Sequence, residues 1–187
     1  MPKKVVFSKE VIIERAFELF KEDGIDSITA RNVAKALNCS PAPIYSSLGS
    51  MDNLKEELVN KAKVLLMDYI TTERTGIRFL DIGMGVAIFA REERELFSNI
   101  FLKESVERAL MTEFLELIHE EAKKDKRFSP LSEEQRNELF MNCWIFANGL
   151  STLIATGFIR NPSDDYIKEK LLNNPAKLLY EYLKKHS

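Results

Sequence analysis

The sequence predicts an all-α protein, and three observations carry that prediction. Apolar residues recur at three- and four-residue spacing from Ile12 to Leu183, with no convincing period-two stretch. Serine or threonine stands before these runs, and glycine, asparagine or Asn-Pro stands after them. Two prolines, Pro41 and Pro43, fall where a helix can begin, because the first turn has N–H groups that need no intrahelical partner.

Ser8 caps the first helix, whose stripe is Ile12, Ala16, Leu19 and Phe20, and Gly24 stands at its end. Thr29 caps a second helix from Ala30 to Leu37, with Ile28 and Val33 placed as a hydrophobic staple. Asn38 follows as a left-handed C-terminal residue, a conformation asparagine tolerates. Ser40 is the expected cap of a third helix, with Pro41 at its first position and Pro43 at its third. Since Pro43 has no N–H, that cap must bond Ala42. The order of helix, three-residue turn and helix is that of a helix-turn-helix whose second helix can enter a DNA major groove.

After Gly49, Ser50 opens a longer helix with Leu54, Leu58, Ala62, Leu65 and Tyr69 on one side. Beyond Gly76 the pattern resumes through Ile77, Leu80, Met84 and Ile88, and Gly83 and Gly85 mark close helix contact, a kink or room for a ligand. Arg91 to Glu95 reads as a solvated helix end, before an apolar piece with Leu96, Phe97, Ile100 and Phe101. Val106, Leu110, Phe114, Leu117 and Ile118 mark another amphipathic helix, with Glu116, Glu120 and Glu121 on a solvated face. Lys123 to Arg127 and Pro130 form a loop, and Ser132 with Gln135 makes a capping box for a helix that Asn161-Pro162 ends. A final helical region begins near Ser163, is interrupted at Asn173-Asn174-Pro175, and resumes with Leu178, Leu179, Tyr182 and Leu183.

Of 187 residues, 45% are hydrophobic and 30% charged, the balance of a soluble globular protein. A net charge of -2 excludes a wholly basic nucleic-acid coat. Between Asp26 and Asp52, however, there is no acidic residue, while Arg31 and Lys35 are present, so this window can face phosphates. Cys39 and Cys143 form neither a disulfide framework nor zinc spacing and are expected to be buried as small hydrophobes. The lack of an N-terminal apolar signal makes the cytoplasm the expected location. Leu139 to Ile159 is uncharged over 21 residues, long enough to span a bilayer. Its Asn142, Asn148, Ser151, Thr152 and Thr156 suit a protein core or subunit interface better, and no membrane association is expected. His119 and His186 are too far apart in sequence to suggest a metal site, and no cofactor is expected. No nucleophile–base pair or phosphate loop points to an enzyme.

The stretch "IIERAFELFKEDGIDSITARNVAKALNCSPAPIYSSLGSMDNLKEEL" combines an A-x-x-L-F helix, a glycine, a capping threonine, V-A-x-x-L, a turn serine and I-Y. In this it resembles the tetracycline-repressor (TetR) family of bacterial transcription regulators. A weaker likeness lies in W-x-x-x-x-G at Trp144 and Gly149. The resemblance implies a helix-turn-helix DNA-binding domain over residues 1–50 and a helical ligand-binding and dimerisation domain over 51–187. It places Thr29 and Arg31 near DNA at the start of the second helix, with Ser40, Pro41, Ala42, Tyr45, Ser46 and Ser47 at the recognition helix. Tyr45 then contacts a phosphate, Arg31 a guanine edge or phosphate, and Ile44 and Leu48 pack inward. The chain departs from the family pattern at Asn38, often glycine, at Ser47 and Leu48, often histidine and an aromatic, and at Met51, often a phosphate-binding lysine.

The expected function is that of a homodimeric regulator, a repressor, which binds a palindromic double-stranded operator and is released by a small, mostly apolar effector. Phe79, Phe89, Phe101, Phe114, Phe140 and Trp144 are the candidate effector-lining residues. The alternative is a helical protein of the same build that binds another protein instead of DNA.

Overall fold

A computed structural model describes residues 7–102, 116, 119–120, 123–124, 126–129, 131–173, 177, 181 and 184. Among these residues every regular element is helical: α1 (Lys9–Asp23), α2 (Ala30–Ala36), α3 (Ala42–Leu48), α4 (Met51–Thr71), α5 (Arg78–Glu92), α6 (Arg94–Phe101), α7 (Glu133–Ala155) and α8 (Asp164–Leu171). Short 3-10 turns occupy Ile25–Ser27 and Lys126–Phe128. The amphipathic helix expected around Phe114, and the terminal region around Leu178 to Leu183, lie outside the described residues.

The chain divides into two compact units, Met1–Val64 and Leu65–Ser187, and the division falls inside α4. In the first unit Ile12, Ala16, Phe17 and Phe20 of α1 are buried with Ile28, Val33, Ala34, Ile44 and Leu48. Leu54 and Leu58 of α4 are also fully buried. Two ion pairs, Lys9 with Glu57 at 2.5 Å and Lys61 with Glu14 at 2.6 Å, join α1 to the same stretch of α4. The opening turns of α4 are thus tied to α1, and Asn53 Nδ2 donates to Leu48 O at the end of α3 at 3.0 Å.

The apolar stripe of α4 continues at four-residue intervals through Ala62, Leu66 and Ile70, all fully buried, and not through Leu65 and Tyr69 as the sequence suggested. Leu65 and Tyr69 are only partly buried. Arginines close the C-terminal end of α4, where carbonyls lack intrahelical partners: Arg74 donates to Tyr69 O at 2.7 Å and Arg78 to Thr71 O at 2.9 Å.

The second unit's core is formed by Leu80, Met84, Ala87 and Ile88 of α5, Ala147, Leu150 and Ile154 of α7, and Ile167 and Leu171 of α8. Close contact, not a kink or ligand space, accounts for Gly85. A methyl group there would come within 2.7 Å of Ile70 Cα, so α4 fills the place a side chain would take. Gly83 faces the Leu171 side chain at 3.4 Å. Buried Asp81 is satisfied by Thr75, whose backbone N–H and hydroxyl donate to its Oδ1 at 2.9 and 2.6 Å.

The charged run at Arg91 is not simply a solvated end. Arg91 donates to Pro162 O at 2.8 Å and to Asp164 at 2.7 Å, joining α5 to the start of α8. The capping box of Ser132 and Gln135 opens α7, and Ser163 opens α8, as their sequences predict. α7 ends earlier than Asn161-Pro162: its last helical residue is Ala155, and Gly157 turns the chain with a left-handed φ of 77°. No helix among the described residues is long and apolar enough to cross a membrane.

Candidate nucleic-acid interface

The recognition unit is set by local capping. Thr29 Oγ1 accepts from the Asn32 N–H at 3.2 Å and starts α2, while buried Ile28 and Val33 anchor its entry. At the other end Asn38 has a φ of 52°. The Cys39 N–H bonds Ala34 O at 2.9 Å and the Asn38 N–H bonds Lys35 O at 3.2 Å, the paired bonds of a Schellman turn. Asparagine here supplies the left-handed residue that lets α3 follow after a short turn. Arg15 Nε, reaching Ala36 O at 3.4 Å, ties α1 to the end of α2.

The start of α3 differs from expectation in one respect. Pro41, not Ser40, holds the cap position, with helical φ and ψ of -64° and -20°, and no side chain caps the helix. The Pro41 carbonyl accepts from the N–H groups of Ile44 at 3.1 Å and Tyr45 at 3.4 Å. Pro43 needs no partner, so two prolines shorten the list of unpaired donors that a serine cap would have served.

Exposure sorts the residues of the two helices. Ile44 and Leu48 point into the core, as expected. Thr29, Arg31, Ser40, Pro41, Ala42 and Ser46 are exposed, Ser47 is partly buried, and the Tyr45 side of α3 leaves that residue 50% exposed. Ser46 donates to Pro43 O at 2.9 Å and Ser47 to Phe7 O at 3.4 Å, so both hydroxyls have local acceptors. Cys39 is half-buried, less enclosed than a core position would require. Residues 12–58, which span all of this, match the family model described as bacterial regulatory proteins, tetR family. The match covers the helix-turn-helix and supports a DNA-binding transcriptional regulator of TetR type, with the helix-turn-helix domain at the N-terminal side and a helical domain after it. A comparison with curated proteins finds no match.

In the C-terminal unit the candidate effector residues fall into separate places. Phe79 and Phe140 stack at 5.5 Å, and Phe101 lies 5.6 Å from Trp144. Phe89 packs instead on Tyr69 at 5.4 Å, ten residues along α5 from Phe79, or about 15 Å at helical rise. Phe114 lies outside the described residues. Two further rings complete the Phe79 group: Phe128, at 5.2 Å from Phe79 and 4.9 Å from Phe140, and His119, at 5.1 Å from Phe140. Phe128 sits in a polar run that carries no helical period, which hid its burial from the sequence. Burial, together with Lys123, holds the His119 imidazole below its ordinary pKa against the opposing effect of Glu120. Cys143 is buried, which pushes its thiol up to about 12. Among the described residues no group of histidine, cysteine and acidic side chains could hold a metal ion.

Proposed function

We propose that this regulator is a cytoplasmic homodimeric repressor that binds a palindromic operator and is released from it by a small, mostly apolar effector. The observation that carries the reading is the exposed face of α2 and α3. Arg31 and Tyr45 project from it in a window that holds no carboxylate from Ser27 to Met51, and Ile44 and Leu48 fix the opposite face in the core. Such a surface offers phosphate and base-edge contacts without like-charge repulsion. Thr29 and Ser46 add hydroxyls, and Pro41 with Ala42 adds an apolar surface suited to thymine methyl groups. Thr29, Arg31, Ser40, Pro41, Ala42, Tyr45, Ser46 and Ser47 are the proposed contact set. Residues 1–50 supply the DNA-binding domain of this reading, and residues 51–187 the ligand-binding and dimerisation domain.

Dimerisation is supported by α7, whose Met141, Ile145 and Leu153 are 48%, 62% and 41% exposed. These apolar side chains recur every four to eight residues around Gly149, which has open space beside it. A two-fold copy covers such a face with the same residues on both sides. The effector acts through a difference in its affinity for two spacings of the paired DNA-binding domains, with α4 as the shared helix.

Selection of bound sequences from a random DNA pool tests this, repeated with apolar compounds present. Recovery of an inverted repeat with half-sites about one or two helical turns apart is expected. Salt-independent binding, or capture of no sequence, would favour a protein partner over DNA.

A further inference from the structure

We infer that the effector carries one carboxylate head, held by Arg136 and His119 at the aromatic group of Phe79, Phe128 and Phe140. This deepens the ligand-controlled reading above and rests on it. Arg136 Nη1 donates to Leu131 O at 2.8 Å, which fixes the guanidinium at the start of α7. Its Nε is buried and has no partner. The Nε–Nη2 edge is the side-on fork that matches both oxygens of a carboxylate. Phe140 follows Arg136 by four residues, so the two side chains share one face of α7.

On that face His119 meets the Phe140 ring, and its Nε2 is likewise buried without a hydrogen-bond partner. A buried polar atom left unpaired costs about 1–3 kcal/mol, so an acceptor that reached both would be favoured. Both groups donate: arginine in every state, and imidazole Nε2 in the tautomer that carries its proton there. The carboxylate nearest in sequence, Glu120, is already engaged by Lys123 at 2.8 Å, and Glu133 and Glu134 of the first α7 turn are exposed. Phe79 is only partly buried and offers ring surface to the apolar body of such a ligand. The class that satisfies the donors and the rings together is an apolar monocarboxylate.

The test titrates the full chain with octanoate, methyl octanoate and 1-octanol, reading heat of binding and release of the selected operator. Octanoate is expected to bind at least about tenfold more tightly than its ester, and Arg136→Met to erase that preference. Arg136→Lys does not restore it, because an ammonium lacks the fork. Since Arg136 also holds Leu131 O, circular dichroism checks that the variant is folded, and His119→Leu tests the second donor while leaving that bond intact. Equal binding of acid and ester, or an undiminished preference in Arg136→Met, overturns the carboxylate head and leaves the apolar-effector reading standing. Binding of none of the three, with the operator still bound, overturns both.

Discussion

The Tyr69 hydroxyl donates to Glu92 Oε2 at 2.8 Å, fastening the last turns of α4 to the end of α5. The other carboxylate oxygen accepts from Arg91, also at 2.8 Å, and Arg91 continues to Asp164 and Pro162. Glu92 and Arg91 together thereby link α5 to α4 and α8. Burial opposes its ionisation, but the hydrogen bonds from Arg91 and Tyr69 outweigh that and hold its carboxyl below the usual range.

Glu92→Gln is expected to lower stability at neutral pH by about 1 kcal/mol, a charge-assisted bond discounted because the Glu92 side chain is 45% exposed. A depressed folded pKa gives stability that is present above the unfolded value of about 4.3 and is lost as pH falls through the folded value. The gap in urea midpoint between the two proteins should therefore persist near neutrality and close below about pH 4. A gap that stays constant into acid would refute the charge-based account.

Gly85→Ala and Gly83→Ala should behave oppositely. At Gly85 the new methyl meets the backbone of α4, which cannot swing aside, and overpacking of this kind costs about 1–3 kcal/mol or more. At Gly83 it meets only the end of the Leu171 side chain at 3.4 Å, an ordinary contact, while alanine gains up to about 1 kcal/mol in helix propensity. Thermal unfolding of both variants measures the contrast; equal losses would remove close approach as the role of Gly85.

What could be read from the sequence was local. Ser8, Thr29, Asn38, Ser132 with Gln135, and Ser163 act within three or four residues of themselves, and each stands where its type predicts. The Arg91–Asp164 bond closes over seventy-three residues, and the contact of Gly85 with Ile70 depends on a second helix, so neither leaves a local trace. The same holds for the buried face of α4. Leu65 and Leu66 are adjacent leucines, and only packing decides that Leu66 turns inward. On the DNA-binding side the inward pair Ile44 and Leu48 was legible from four-residue spacing, whereas the helical start at Pro41 in place of a serine cap was not.

Arg31→Ala and Tyr45→Phe should each weaken operator binding by about 1–3 kcal/mol with the fold intact, because both side chains are exposed and neither supports the core. Arg31→Ala should also reduce the salt slope by about one if it touches a phosphate. Ile44→Ala, fully buried, should instead unfold the domain at a cost of about 2–5 kcal/mol. Gel shifts over a salt series, with circular dichroism as the fold control, separate the two effects. Full affinity in both surface variants would move the reading to a protein partner.

Ile145→Glu should convert the proposed dimer to a monomer. Ile145 is 62% exposed and lies one helical turn from Met141 on the outer face of α7, so a carboxylate there is solvated in the single chain and costs its own fold little. Across a two-fold contact the same substitution places a charge in an apolar patch against the partner's copy of that patch, where desolvation and the loss of apolar burial act together. Sedimentation at micromolar concentration should show the wild type at twice the chain mass and the variant at one. Operator affinity should fall with it, since a lone domain loses the effective concentration that links two half-sites. A wild-type monomer, or a variant that remains dimeric, would place the subunit contact elsewhere or remove it.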